Sequence, residues 1–372
     1  MTELLVVAGE ASGDRAAAAV LARLSGVRAF GLGGAALARA GAELVADFRP
    51  MTALGFGETA LRALAIAKAW RRITRAALAR RPDAALLVDY AEFNMMLAQR
   101  LHAAAIPVVW YGAPQVWAWR PGRVKLLRGC VDQMAVMLPF EEPLWRGAGI
   151  DARYVGHPAL EPVGRERHAS RRALGIAEGA TALGILPGSR PHEVRRLLPR
   201  MLQAWQHLAM RWPGLQARAV VASGLDSTTR WRLDAACKTR GLQTFDVDPM
   251  AGAVDILSAF DVVLCASGTA SLEAALAHAP PVVVYRVDAA THVVARFLLQ
   301  SPHIALPNVL LGRRAFVELL QGDASAERMT VEVDRALANR SDLLRACDAT
   351  AALLACDHLP STNVADMLER WL

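Results

Sequence analysis

Short apolar runs rich in β-branched residues recur along the chain, each bounded by Gly, Pro or Asp and followed by a longer segment of helical period. The runs lie at 4–8, 29–32, 85–88, 108–110, 134–138 and 153–155 in the first half, and at 183–186, 219–222, 244–247, 262–265 and 282–285 in the second. Alternation of strands and helices is typical of parallel sheets covered by helices on both faces. The pattern therefore predicts an α/β protein of two doubly wound domains.

A charged stretch separates the two sets of strands. It follows Pro162 and includes Arg165 and Arg167, and the strand pattern resumes near residue 183. Beyond about residue 324 only helical periodicity remains, through 325–338, 341–356 and 361–371. We expect an N-terminal domain at 1–163, a C-terminal domain at 164–340, and helices at 341–372 that return to the N-terminal domain. Parallel sheets bind ligands outside the carboxyl ends of their strands, so the expected site is a cleft across which the two domains face each other.

Composition excludes some classes of protein but does not identify the binding partner. Of the 372 residues, 54% are hydrophobic, which excludes a disordered chain. Lys and Arg outnumber Asp and Glu by 42 to 35, and the net charge of +7 favours phosphates, an acidic membrane surface or nucleic acid as partners. Five cysteines without a CxxC pair indicate a reducing compartment and no structural zinc site.

No segment predicts export or a membrane span. Glu3 stands where a signal peptide carries positive charge, and the first apolar run ends at Gly9-Glu10. Residues 102–119 lack charge but are broken by Pro107 and Pro114, whereas a membrane helix needs about 20 mostly apolar residues. We therefore expect a protein that does not span a membrane.

Two glycine-containing turns follow strands in the first half. The first, Gly9-Glu10-Ala11-Ser12-Gly13-Asp14, combines small residues with the start of a helix, so backbone and free N–H groups can approach a ligand. A simple helix cap by Ser12 or Asp14 fits equally well. The second turn, at 31–36, fits the dinucleotide fingerprint GxGxxG/A, but Asp47 comes too early to be its ribose carboxylate, which favours a plain glycine turn.

Two turns of the second half suggest a nucleotide. Gly188-Ser189-Arg190 opens a helix and combines free N–H groups with a guanidinium that can clamp a phosphate, the alternative being a capped surface turn. Ser267-Gly268-Thr269 again joins a strand to a helix, where Glu273 is either a ribose ligand or a helix-capping carboxylate. Neither turn has the lysine of a Walker A loop, so an ATPase is not expected.

Carboxylates that could act as a general base follow the strand at 85–88. Asp89 ends that strand, and Glu92 lies one helical turn later; the pair also fits an N-cap with its capping-box partner. His157 ends the last strand of the first half, where a ligand contact and a structural hydrogen bond are both open. Asp246 and Asp248 match the DxD metal pair of one glycosyltransferase class, but a match of this length favours an ordinary loop.

A basic segment between Leu61 and Arg81 contains no acidic residue. Its Lys68, Arg71, Arg72 and Arg75 share one helical face, opposite an apolar face that includes Trp70. An ordinary helix with a core side and a solvated side explains this pattern. A reversible contact with anionic lipid is the sharper hypothesis, with Trp70 packed inward.

Several of these stretches together resemble the lipid-A-disaccharide synthase family, glycosyltransferases with two Rossmann-like domains (GT-B type). The matching blocks run in unbroken order over about residues 1–325: VAGEASGD at 7–14, LGFGE at 54–58, VD at 88–89, VWAWR at 116–120, LPFE at 138–141, GHP at 156–158, LPGSR at 186–190, the stretch 266–273, VYR at 284–286 and LPN at 306–308, followed by Glu318 and Gln321. The combination is specific, above all VWAWR and LPGSR.

The resemblance implies transfer of 2,3-diacylglucosamine from its UDP carrier to 2,3-diacylglucosamine 1-phosphate (lipid X), with inversion, giving the β-1,6-linked disaccharide phosphate and UDP. It makes Asp89 the favoured base on the acceptor hydroxyl. The resemblance further implies a donor site of Gly188, Ser189, Arg190, Ser267, Gly268, Thr269, Glu273, Asn308 and Gln321, and an acceptor side of Glu10, Ser12, Gly13, Glu58, Trp119, Arg120 and His157. No metal or other cofactor is expected, because helix N-termini and Arg190 would meet the charge of UDP.

The implied partners are the two lipid substrates and the anionic cytoplasmic face of the inner membrane of a Gram-negative bacterium, without nucleic acid; a homodimer is left open. Four positions depart from the family pattern: Tyr90-Ala91 replaces Ala-Pro, Glu92 replaces a second aspartate, Ala113 replaces a serine and Glu161 replaces an aspartate. These changes bear on the acceptor and its acyl chains rather than on the type of reaction. The alternatives are another inverting UDP-sugar transferase of this architecture, which the VWAWR block disfavours, and a non-catalytic paralogue that binds nucleotide sugar or lipid.

Overall fold

The chain divides into two compact units. The computed structural model describes residues 2–49, 59–118, 122–161, 166–248, 253–287 and 301–372. Unit 1 comprises Met1–Glu161 together with Leu354–Leu372, and unit 2 comprises Pro162–Leu353. Each unit contains its own parallel sheet, with helices on both of its faces.

Unit 1 is built on a seven-stranded parallel sheet of order β3-β2-β1-β4-β5-β6-β7. Its strands are β1 (Thr2–Ala8), β2 (Val27–Gly33), β3 (Glu43–Asp47), β4 (Ala84–Val88), β5 (Val108–Tyr111), β6 (Gln133–Val136) and β7 (Ala152–Tyr154). The helices between them are α1 (Ala11–Leu21), α2 (Ala35–Arg39), α3 (Thr59–Arg80), α4 (Ala91–His102), α5 (Arg123–Leu127) and α6 (Glu141–Gly147), with a 3₁₀ turn at Pro158–Leu160.

Successive residues of a strand face opposite sides of the sheet, and in unit 1 both sides are buried. Leu5 and Val7 of β1 pack on the side that includes Ile73 of α3. Leu4 and Val6 pack on the other side. This double burial explains why the central strands are apolar without alternation.

Unit 2 is built on a six-stranded parallel sheet of order β10-β9-β8-β11-β12-β13. Its strands are β8 (Ala182–Leu186), β9 (Gln216–Val221), β10 (Gln243–Asp246), β11 (Val262–Ala266), β12 (Pro281–Tyr285) and β13 (Glu318–Leu320). Its helices are α7 (Arg167–Ala173), α8 (Pro191–Arg211), α9 (Ser227–Lys238), α10 (Val254–Leu257), α11 (Thr269–Leu276), α12 (Leu306–Leu311), α13 (Ala326–Ala338) and α14 (Arg340–Leu353), with a 3₁₀ turn at Gln321–Asp323.

The last helix, α15 (Pro360–Glu369), belongs to unit 1. Ser361 at its start donates its backbone N–H to Glu161 Oε1 at 2.6 Å, and Asn363 Nδ2 donates to the carbonyl of Val155 at 3.0 Å. Val364 and Leu368 enter the unit 1 core. The chain thus returns at Leu354, later than the expected residue 341, because α14 stays with unit 2.

The sequence pattern did not predict two of the observed strands, β3 and β13, and each lies at the edge of its sheet. The β3 strand has one buried residue, Ala46, and β13 has only three residues. Edge strands face solvent on one side and bury fewer side chains, so they lack the continuous apolar run that marks a central strand.

Candidate active site

Asp89 is the first residue after β4, at the carboxyl end of the unit 1 sheet. Its backbone has φ +46°, and Tyr90 repeats that left-handed conformation. Such strain is sparse outside glycine and is concentrated at functional sites. Asn94 Nδ2 holds the bend by donating to the carbonyls of Val88 at 3.2 Å and Asp89 at 2.8 Å.

The Asp89 carboxylate lies against Gly112, which follows the neighbouring strand β5. A Cβ atom on Gly112 would lie 2.5 Å from Asp89 Oδ1, so only glycine fits here. Burial, reinforced by the charges of Glu10 and Glu141, raises the pKa of Asp89 to about 7. A carboxylate whose pKa lies near neutrality is suited to general-base chemistry.

Glu92 does not share this environment. Its carboxylate pairs with the buried guanidinium of Arg123 on α5. The capping box considered for Asp89 and Glu92 is wrong, because Tyr90 is the N-cap residue of α4 and no side chain caps the helix.

The first turn, at 9–14, divides into an exposed residue and a packed helix start. Glu10 is exposed at the end of β1, where its charge acts on Asp89. Ser12 is half-buried within α1, and Gly13 is buried against Val88, so the small size of Gly13 serves helix–sheet packing. Neither Ser12 nor Asp14 caps α1.

Asp14 instead caps α2, a contact that the sequence pattern did not reveal. Its carboxylate accepts the N–H groups of Gly34 at 2.7 Å and Ala36 at 2.9 Å. These are the groups that a dinucleotide phosphate would need at this turn. The geometry therefore agrees with the plain-turn interpretation of residues 31–36.

His157 has a structural hydrogen bond. Its Nδ1 accepts the N–H of Ala159 at 3.1 Å and so caps the 3₁₀ turn, which leaves Nε2 as the protonated nitrogen. Burial lowers the pKa of His157 to about 4, so the imidazole is neutral at pH 7.

Glu141 is buried near the carboxyl end of the unit 1 sheet, and from the sequence it was named only as part of the LPFE block. It begins α6 and accepts the indole N–H of Trp117 at 2.9 Å and the backbone N–H of Leu138 at 3.1 Å. Desolvation raises its pKa to about 7 despite these hydrogen bonds. An acidic residue within an otherwise apolar LPF segment is the signal that could have identified it.

In unit 2, the turn at Gly188-Ser189-Arg190 opens α8 as predicted, but its N–H groups are occupied. Glu193 Oε2 accepts the backbone N–H of Ser189 at 3.0 Å and of Arg190 at 3.2 Å. The Arg190 side chain is 57% exposed, 4.0 Å from Glu193 Oε1. A phosphate at this turn would have to replace the Glu193 carboxylate.

The second turn of unit 2 has an open helix start. Gly268, the N-cap residue, and Thr269, the first residue of α11, are exposed, and no side chain caps that helix. Ser267 lies just behind them, and its hydroxyl donates to the carbonyl of Ile304 at 3.2 Å. Glu273 is half-buried in α11. Exposed N–H groups at a helix start suit a phosphate.

Asn308 was assigned to the donor site, but its amide is fully used within the protein. Its Nδ2 donates to the carbonyl of Phe316 and to Glu318 Oε1, both at 2.8 Å. Its Oδ1 accepts the N–H groups of Ala315 and Phe316, both at 2.9 Å. An amide makes at most four such hydrogen bonds, so Asn308 shapes the segment and has no side-chain capacity left for a ligand.

Gln321 follows β13 with φ +51° and is half-buried. Its backbone carbonyl accepts a hydrogen bond from Arg286 at 3.2 Å. Asp246 of the DxD pair forms a salt bridge of 2.7 Å with Arg230. Within the described ranges, no three His, Cys, Asp or Glu residues form a group that could hold a metal ion.

The basic residues of α3 have the predicted arrangement. Ile73 and Ala77 are buried, and Trp70 packs edge-on against Phe93 with 5.4 Å between the ring centroids. The side chains exposed on the opposite face are Lys68, Arg71, Arg72 and Arg75. Among the helices that the structure describes, none is long and apolar enough to cross a bilayer. Glu58, Trp119 and Arg120 lie outside the described residues.

Solved structures share this architecture. A Listeria monocytogenes protein assigned as UDP-N-acetylglucosamine 2-epimerase aligns with a TM-score of 0.70 at 13% identity, over 99% of this chain and 96% of that one. MurG from Acinetobacter baumannii aligns with a TM-score of 0.57 at 16% identity over the whole of both chains. The fold is therefore of the GT-B class, that of glycosyltransferases built from two Rossmann-like units.

The sequence comparisons identify the family within this class. Residues 4–364 match the model of the lipid-A-disaccharide synthetase family. The lipid-A-disaccharide synthase of Anaeromyxobacter dehalogenans strain 2CP-1 is 44% identical over 344 residues, which cover 91% of this chain and 89% of that protein. The chain belongs to the lipid-A-disaccharide synthetase family and is a glycosyltransferase.

Proposed function

We propose that the protein transfers 2,3-diacylglucosamine from UDP-2,3-diacylglucosamine to lipid X with inversion, releasing UDP. Membership in the family supports this reaction. The observation that carries the mechanism is Asp89: a carboxylate at the carboxyl end of a central strand, held in a strained bend, with its pKa raised to about 7. It is the general base that takes the proton from the attacking hydroxyl of the acceptor.

The acceptor side belongs to unit 1. Among the described residues, no donor forms a hydrogen bond with the Asp89 carboxylate, so it is available for a substrate hydroxyl. The exposed Glu10 lies close enough for its charge to raise the pKa of Asp89. Glu92 has a structural role here, because its carboxylate pairs with Arg123.

The donor side belongs to unit 2. The exposed start of α11 and the guanidinium of Arg190 bind the diphosphate of UDP and stabilise the charge that develops on it as the sugar leaves. Glu273 binds the ribose hydroxyls. The transfer uses these groups without a metal ion.

The test is release of UDP by the purified protein with UDP-2,3-diacylglucosamine and lipid X. We expect UDP and disaccharide phosphate in equal amounts, and no UDP without acceptor. A protein that binds UDP but releases none with lipid X would be a nucleotide-sugar-binding paralogue. Release with a different acceptor only would identify another transferase of this class.

The exposed face of α3 attaches the protein to the anionic surface where its lipid substrates lie. Lys68, Arg71, Arg72 and Arg75 are exposed on a helix whose opposite side packs in the core, and each adds about 1 kcal/mol near an anionic membrane. Leu64, one turn before Lys68, is 66% exposed and extends this face with an apolar group. We expect salt to release the protein, since the attraction decays over about 8 Å at physiological ionic strength.

Sedimentation with anionic vesicles tests this contact. Changing the four α3 residues to Gln should abolish binding, whereas the same change at Arg232, Lys238, Arg240 and Arg313, all exposed on unit 2, should leave it intact. Undiminished binding of the α3 variant would locate the contact elsewhere.

A further inference from the structure

Glu141 is a fully enclosed carboxylate that the proposed reaction does not use. It is 2% exposed; Oε1 accepts the Trp117 indole N–H, Oε2 accepts the Leu138 backbone N–H, and the backbone of Met137 also donates to the carboxylate. These donors are neutral, and among the described residues no cation forms a salt bridge with Glu141. A buried charge held only by neutral donors is costly and acts strongly on other nearby charges.

Glu141 is linked to Asp89 through the ends of neighbouring strands. Strand β5 lies between β4 and β6, so Gly112 separates Asp89 from Met137. A Cβ atom on Gly112 would lie 2.5 Å from Asp89 Oδ1 and 2.7 Å from Met137 Cε. The next residue, Leu138, donates its N–H to Glu141. Glu141 therefore binds the backbone of Met137 and Leu138, and the Met137 side chain reaches the same glycine as the Asp89 carboxylate.

Within the described ranges, two further titratable groups face Asp89. Glu10 faces Asp89 from the end of β1, and Tyr111 faces it from β5. Burial raises the pKa of both Asp89 and Glu141 to about 7, and the charge of Glu141 contributes to the shift at Asp89. An ionised Glu141 therefore adds to the effect of burial and of Glu10 in opposing the ionisation of Asp89.

We propose that Glu141 is a positioning residue for the reaction, whose negative charge raises the pH at which Asp89 becomes an active base while its oxygens fix the Trp117 indole. When Glu141 is ionised, Asp89 binds its proton more tightly and is the stronger base. When Glu141 is neutral, Asp89 ionises at lower pH and is a weaker base. This inference rests on the proposed role of Asp89.

The pH profile of kcat/KM in Glu141→Gln tests the proposal. Glutamine still accepts the Trp117 N–H but carries no charge. We expect the acid limb to move to lower pH by about one unit, the scale of a nearby like charge. The matched control is Glu142→Gln on the same helix, where the carboxylate accepts the Tyr154 N–H at 2.6 Å and pairs with Arg146. That control should leave the acid limb unmoved.

A second measurement separates this proposal from the role of Asp89 in catalysis. In full-length protein labelled with ¹³C at aspartate Cγ, the resonance missing from Asp89→Asn identifies Asp89, and its pH midpoint is measured without substrate. We expect a lower midpoint in Glu141→Gln. An unchanged midpoint would overturn the proposal. A lowered midpoint with an unmoved acid limb would support the coupling and overturn Asp89 as the base.

Trp117→Phe provides a second variant if Glu141→Gln folds poorly. Phenylalanine keeps a ring for the edge-on contact with Phe140 but removes the N–H that favours ionised Glu141. The Asp89 midpoint should again fall, by less than in Glu141→Gln. If Glu141 had only a structural role, these variants would lose stability and the pH midpoint of Asp89 would not move.

Discussion

The two parallel sheets share the same order of their first six strands, but the groups at their carboxyl ends are acidic in unit 1 and suited to binding an anion in unit 2. In unit 1 this edge carries the carboxylates of Glu10, Asp89 and Glu141, and the last two have pKa values raised to about 7. In unit 2 the same edge carries the exposed start of α11 and the guanidinium of Arg190. A parallel sheet only directs its loops to one edge; the loop residues then decide whether that edge takes up a proton or binds an anion.

We expect the largest effect from Asp89→Asn, which removes the carboxylate of the unit 1 edge. We expect transfer to fall by about 10² to 10⁴, the usual cost of losing a general base, with UDP binding unchanged because the donor groups lie on unit 2. Steady-state kinetics and UDP titration calorimetry measure the two effects. Near wild-type turnover would refute the assignment, and Glu92→Gln serves as the control for a carboxylate that pairs with Arg123.

Arg190→Ala tests the carboxyl edge of the unit 2 sheet. Loss of a charged hydrogen bond to phosphate should weaken UDP binding by about 1.5–3 kcal/mol. The pH dependence of transfer should stay as in the wild type, because the acids lie on unit 1. Activity should also survive EDTA; loss in EDTA that manganese restores would instead implicate Asp246 and Asp248.

His157→Asn tests the pH dependence of the stability of unit 1. The pKa of His157 falls from 6.5 to about 4 on folding, so the proton binds more tightly to the unfolded chain. The neutral His157 therefore contributes up to about 3 kcal/mol to the free energy of unfolding above pH 6.5, and this contribution is lost as the pH falls through 4. Asparagine can still accept the Ala159 N–H but does not titrate. Urea unfolding between pH 7 and pH 4 should show a smaller loss of stability in the variant; equal slopes would contradict this account.

Glu193→Gln should give the smallest effect. In the structure Glu193 accepts the N–H groups of Ser189 and Arg190, which a phosphate would need. Glutamine keeps an acceptor but removes the negative charge, so UDP should bind a few-fold tighter. Weaker binding, measured by the same calorimetry, would mean that the phosphate lies elsewhere and Glu193 assists it.

Two of the four departures from the family pattern make structural contacts within unit 1. Glu92 pairs with Arg123, and Glu161 accepts the N–H of Ser361 at the start of α15. Neither partner could be found from the sequence, because Arg123 is 31 residues from Glu92 and Ser361 is 200 residues from Glu161. Asn308 shows the same limit: its motif suggested a ligand contact, whereas its neighbours take all four hydrogen bonds.

The sequence by itself determined the two parallel sheets, because strands buried on both faces must be apolar without interruption, and it determined which turns follow those strands. It also determined the residue types at the carboxyl edges of the two sheets, such as Asp89 in unit 1 and Arg190 in unit 2. Only the tertiary structure decided which of these groups are enclosed and which are already bonded. Both depend on residues far apart in the chain: Gly112 lies against Asp89, the charge of Glu141 acts on it, and Asp14 caps a helix that begins 21 residues later.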